Sequence, residues 1–100
     1  MSEPTTREVK LEIQLDEEIA QGAYCNLAIV NHSDTEFTID FVFVQPQAPR
    51  AKVRSRVITS PRHAKRLLLA LQENLARYER AFGPVEPAAQ RSEAVDDHYH

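Results

Sequence analysis

Seven cationic side chains crowd one short stretch: Arg50, Lys52, Arg54, Arg56, Arg62, Lys65 and Arg66, with no acidic residue between them. The first four sit at alternate positions, which on a strand places them on one face. The other three follow Ser60-Pro61, where a helix begins. Cations in a first helical turn oppose the positive end of the helix dipole, at about 0.5 kcal/mol each. Such a patch can bind phosphate backbones or an acidic protein surface. It can also be matched inside the fold, with Asp40 facing Arg54 across a hairpin and Glu36 near Arg56 or Ile58. The stretch holds no aromatic residue for base stacking, and the whole chain is acidic, with a net charge of -3 and a pI near 5.8. No zinc-finger, helix-turn-helix or RNA-recognition pattern accompanies it.

The other reactive side chains form no constellation. Of the four histidines, only His98 and His100 lie close together, in a polar tail, so no metal site is expected. Asp16, Glu17 and Glu18 cluster in a connection and read as a solvated turn rather than an acid–base pair. Two glycines cannot make a phosphate-cradling loop, and no serine stands in a nucleophile elbow. Cys25 has neither a cation nor a helix N-terminus beside it to make the thiol reactive, and it reads as a small buried hydrophobe. No catalytic residue, metal or cofactor is assigned, and the chain is not expected to be an enzyme.

The elements that would carry these residues are legible. Ser60 to Gly83 reads as one long helix, with Ser60 as N-cap, Pro61 at the first position, and Gly83-Pro84 as a left-handed stop. Its apolar residues Ala64, Leu68, Leu71, Leu75, Tyr78 and Phe82 alternate four and three apart, a single stripe with the seven-residue repeat of a helix–helix seam. Leu67 and Leu69 widen it. Four strands are predicted ahead of it: Val9–Leu15, Ala23–Asn31, Glu36–Gln45 and Arg50–Thr59. Asp16 to Gly22 breaks the alternation and allows one helical turn. His32-Ser33-Asp34 is a turn, and Pro46 to Pro49 is a short loop. The expected fold is α+β, a four-stranded antiparallel meander packed on one long C-terminal helix. Residues 1–8 read as a flexible N-terminus, 9–83 as a single domain, and 84–100 as a disordered acidic tail.

Two features exceed what a lone subunit needs. The second sheet face is expected to hold Tyr24, Ala28, Val30, Val42, Val44 and Ile58, more grease than solvent calls for. The helix stripe, with Leu68, Leu71, Leu75 and Tyr78, also suits a symmetry mate. A homodimer or a dimer of dimers is the expectation. The charge is divided in the same spirit. Residues 1–45 carry two basic and nine acidic side chains, and residues 50–66 carry seven basic ones. No apolar run is long enough to span a bilayer, and the first ten residues lack a secretory core, so a cytoplasmic protein without a membrane partner is expected.

Three stretches, LDEEIAQGAYCNLAIVNHSDTEFTIDFVFVQP, AKVRSRVITSP and HAKRLLLALQENLARYERAFG, resemble a bacterial and archaeal family known as domain of unknown function 3467, over about residues 10–83. That resemblance implies no catalytic or binding residues. In topology alone, four strands then a helix, the chain is similar to SecB-like export chaperones, which assemble as tetramers and bind unfolded chains. The function these observations favour is a non-enzymatic oligomeric binding module, a protein-interaction adaptor or small chaperone-like protein. The alternative is a nucleic-acid-binding accessory protein using the basic stretch 50–66.

Overall fold

A computed structural model describes residues 10–47 and 49–87. The elements run in the order α1 (Glu17–Ala20), β1 (Leu27–His32), β2 (Phe37–Val44), β3 (Ala51–Thr59) and α2 (Pro61–Phe82). This is an α+β chain with a three-stranded antiparallel sheet, order β1-β2-β3, and a C-terminal helix.

The long helix starts and stops where its end signals place it. Ser60 Oγ accepts from the His63 N–H at 3.2 Å, and Pro61 takes the first turn. At the far end the Gly83 N–H donates to the Glu79 carbonyl at 2.9 Å. Gly83 has φ 100° and ψ 167°. That is not the left-handed helical basin expected of it but an extended region at positive φ, which only glycine reaches without strain. Just beyond it the Val85 N–H donates to Glu79 Oε2 at 2.9 Å.

The β1–β2 turn is held by Ser33, whose Oγ accepts from the Thr35 and Glu36 N–H groups, both at 3.2 Å. Beyond β2 the Gln45 N–H donates to the Arg50 carbonyl at 3.0 Å and closes the proline loop. The second predicted strand starts late, at Leu27 rather than Ala23. Asn26 is the reason: its amide stands in for a ladder peptide, giving Nδ2 to the Val44 carbonyl at 3.1 Å and taking the Val44 N–H at 2.8 Å.

Two expectations fail. The first predicted strand is not found among the described residues; Val9 lies outside them, and Lys10 to Asp16 joins no strand pairing among them. Leu11, Ile13 and Leu15 are 76%, 87% and 66% exposed. Alternation specifies a two-faced ribbon but supplies no neighbour to bond to. The segment runs instead into the short turn α1, closed by the Ala20 N–H on the Asp16 carbonyl at 2.8 Å and followed by Gly22 at φ 75°. Nor does α2 lie on the sheet. None of its residues is buried, and only β1 with β2 and β2 with β3 pack extensively.

The core accordingly lies in β2. Ile39, Asp40 and Val42 are the buried residues among those described. Cys25, expected to be buried, is half-exposed. Residues 84–87 have no regular structure. The remainder of the expected tail, with His98 and His100, and the expected N-terminal arm lie outside the described residues. No described helix is long and apolar enough to cross a membrane.

Candidate functional site

Directly opposed residues of an antiparallel pair point to the same side of a sheet. The β1–β2 register sets Ala28 against Phe41 and Val30 against Ile39, so these two belong to the side of Phe37, Ile39, Phe41 and Phe43. Tyr24 joins them, its ring meeting that of Phe43 edge-on at 6.2 Å. Leu27 stands against Val42 and Ile29 against Asp40. They share the second side with Val44 and, across β3, with Ile58. The six residues expected on one face are thus divided between two. Period two fixes the faces of each strand, but the turn length decides which face meets which, and an odd slip exchanges them all.

A second irregularity divides the basic stripe. Phe41 pairs with Ser55 but Val42 pairs with Val53, which leaves Arg54 as the extra residue of a β-bulge. Upstream of the bulge the parity of β3 is inverted. Lys52 comes opposite Phe43, and Ala51 opposite Val44. Arg56, downstream of the bulge, comes opposite Asp40 on the other side of the sheet. The pairing expected between Asp40 and Arg54 is therefore made by Arg56, because the register, not proximity in sequence, chooses the cation.

That pair is a fork. Arg56 Nε donates to Asp40 Oδ1 at 2.7 Å, and Nη2 donates to Oδ2 at 2.9 Å. The Asp40 side chain is 1% exposed and the Arg56 side chain 53%. Bidentate geometry of this kind is strong and directional, and a buried carboxylate needs it. Arg56 is thereby part of the sheet's own structure rather than a cation held out to a ligand.

Arg50, Lys52 and Arg54 behave otherwise. With Phe43 and Gln45 they line an open depression of about 340 Å³ at one corner of the sheet. All three are exposed, and among the described residues none makes an ion pair. Arg62, Lys65 and Arg66 are likewise exposed, on the first turns of α2, where no acidic residue offsets them. What this corner can do chemically is attract anionic groups while presenting one aromatic edge beneath them. Neither the depression nor the bulge was visible in the sequence, where four alternating cations gave no sign of an inserted residue.

The remaining singular surface is α2. Leu68, Leu71, Leu75 and Tyr78 are all about half-exposed, and Phe82 is 75% exposed. The rings of Tyr78 and Phe82 meet at a tilt, their centroids 4.9 Å apart along the stripe. Leu71, Leu75 and Tyr78, with Asn74 and Arg77, border a second, shallower depression. The structure thus keeps the basic corner and the apolar stripe open at the same time. Among the described residues no three histidine, cysteine or carboxylate side chains gather as metal ligands.

Comparison with known proteins adds one finding. No curated protein and no solved structure matches the chain, so the topological likeness to SecB-like chaperones gains no support. A family model matches residues 1–87, a span that takes in every residue described above, and the chain belongs to that family, protein of unknown function (DUF3467).

Proposed function

We propose that this protein is a non-enzymatic oligomeric binding module, an adaptor that assembles with itself and engages another polypeptide. The observation that carries this reading is the uncovered stripe of α2. Seven large apolar side chains, from Leu67 to Phe82, stand open on a helix that buries none of its residues. Covering half of each would contribute on the order of 5–10 kcal/mol before the costs of association. Open apolar patches of this size mark contact surfaces. The four-three spacing further selects another helix as the natural cover, and a two-fold pairing of α2 with its own copy is the simplest closed arrangement.

Sedimentation equilibrium tests this. The chain is expected to sediment at a multiple of 11.4 kDa at micromolar concentration. Leu71→Glu combined with Leu75→Glu is expected to weaken self-association at least about 100-fold, since two charges replace two apolar anchors. A wild-type chain that stays at the monomer mass at 100 μM rejects the reading.

The basic corner favours a second reading, a nucleic-acid-binding accessory protein. Its test is a salt titration of single-stranded and duplex DNA and RNA binding. Lys52→Ala with Arg54→Ala is the informative variant, because Arg56 is engaged by Asp40 and its removal would disturb the sheet. Binding that falls steeply with salt and is lost in that variant establishes this reading. No binding at 50 mM salt removes it.

A further inference from the structure

We propose that the segment Lys10–Asp16 of one copy adds as a fourth strand to the β3 edge of a second copy, so that the sheet is completed only by exchange between subunits. This rests on the oligomeric reading above and names what each copy supplies.

The segment has the pattern of a strand and no strand partner among the described residues. Leu11, Ile13 and Leu15 alternate with Glu12, Gln14 and Asp16, and the three apolar residues are among the most exposed in the chain. Seven residues extend about 23 Å, within the length of the nine-residue β3. The sheet offers two open edges, β1 and β3. They differ in charge. β1, Leu27–His32, carries no acidic residue, lysine or arginine, whereas β3 and its approach carry Arg50, Lys52 and Arg54 beside the Asp40-bound Arg56. The segment and α1 together carry one lysine against Glu12, Asp16, Glu17 and Glu18, none of them in an ion pair among the described residues.

Side-chain direction agrees. The bulge at Arg54 puts Val53 and Ile58, 40% and 57% exposed, on one side of β3, and Lys52, above Phe43, on the other. A strand whose apolar residues continue the Val53 and Ile58 side must set Glu12 and Asp16 on the side of Lys52 and the basic depression. Both matches are met by one placement. The same cations forbid the rival use of this edge, since two copies of β3 laid together would oppose arginine with arginine and lysine. Exchange, rather than folding back within one chain, follows from the subunit's own fold, in which the segment joins no strand pairing among the described residues and its apolar side chains stay exposed.

A charge-reversal mixing experiment decides. One variant carries Glu12→Lys and Asp16→Lys; the other carries Lys52→Glu and Arg54→Glu. All four positions are exposed, so neither variant removes a buried contact. Each alone is expected to self-associate at least about tenfold more weakly than wild type, because like charges then face each other. In a one-to-one mixture both strand–edge contacts are again between opposite charges. The mixture is expected to form a heterodimer within about threefold of the wild-type dissociation constant, read by sedimentation velocity with one variant labelled. The milder Glu12→Gln/Asp16→Asn chain should associate with a flatter salt dependence than wild type. If wild type assembles but the reversals leave its dissociation constant unchanged, or the mixture is no tighter than its parts, the exchange is overturned while the oligomeric reading stands. A wild-type chain that is itself monomeric overturns both.

Discussion

β2 and α2 are both strongly apolar, and they meet opposite fates. β2 is eight residues long, is bonded on both edges, and contains every buried residue described. α2 is 22 residues long and buries none. A strand cannot satisfy its backbone alone, so the neighbours that close its hydrogen bonds also shelter its side chains. A helix closes its own ladder and can stand uncovered, with its apolar stripe still in water. An apolar pattern thus states that a face will be covered. Whether the cover comes from the same chain depends on whether the backbone required it first.

The largest way to break this contrast is at Asp40. Arg56→Ala leaves a buried carboxylate without its forked partner and is expected to cost about 3 kcal/mol, the lower end for a broken buried pair because the arginine is half in solvent. Urea denaturation followed by a probe of the sheet measures it. Replacing both partners by leucine should recover most of the loss, since the cost lies in the orphaned charge rather than in the missing bond. A single Arg56→Ala as stable as wild type would mean that the sheet does not depend on this pair.

These two elements also mark how far the sequence could be read. Helix ends at Ser60-Pro61 and Gly83-Pro84, the turn at Ser33, and the last three strands were legible because each rests on local chemistry: a hydroxyl cap, a missing N–H, a flexible φ. The assignment of faces was not. It depends on turn length and on the bulge at Arg54, and neither leaves a mark in an alternating pattern. The expected strand at Val9–Leu15 and the helix–sheet contact failed together for one reason. Both were inferred from apolar periodicity, which carries no information about the partner. The basic corner was read as chemistry from the start, yet its separation into Arg56, bound to Asp40, and Arg50, Lys52 and Arg54, left open, needed the register.

The helix side of the contrast sharpens at its N-terminus. With no packing to hold it, α2 should depend on its cap more than a buried helix does. Ser60→Ala removes the acceptor of the His63 N–H, in a first turn that carries Arg62 and no acidic residue, with Lys65 just beyond it. The expected loss is about 1 kcal/mol. It should appear as reduced helicity by circular dichroism in dilute protein and shrink as concentration rises, because assembly would then hold the helix. A loss independent of concentration would place α2 in a folded monomer.

The smallest effect tests where the proposed seam on α2 ends. Glu73 and Arg77 are one helical turn apart, with Nη2 to Oε2 at 3.5 Å and both side chains more than half exposed. In water such a pair contributes about 0.3 kcal/mol, and Glu73→Gln should barely move the melting temperature at low concentration. Arg77, however, borders the depression formed with Leu71, Leu75 and Tyr78. If a second helix covers that stripe, the pair sits at its rim, where partial loss of solvent strengthens the attraction. The melting-temperature difference between Glu73→Gln and wild type should then widen with protein concentration. An unchanged difference from 1 to 100 μM would put Glu73 and Arg77 outside the contact and confine the seam to the Leu68–Leu71–Leu75 side of the helix.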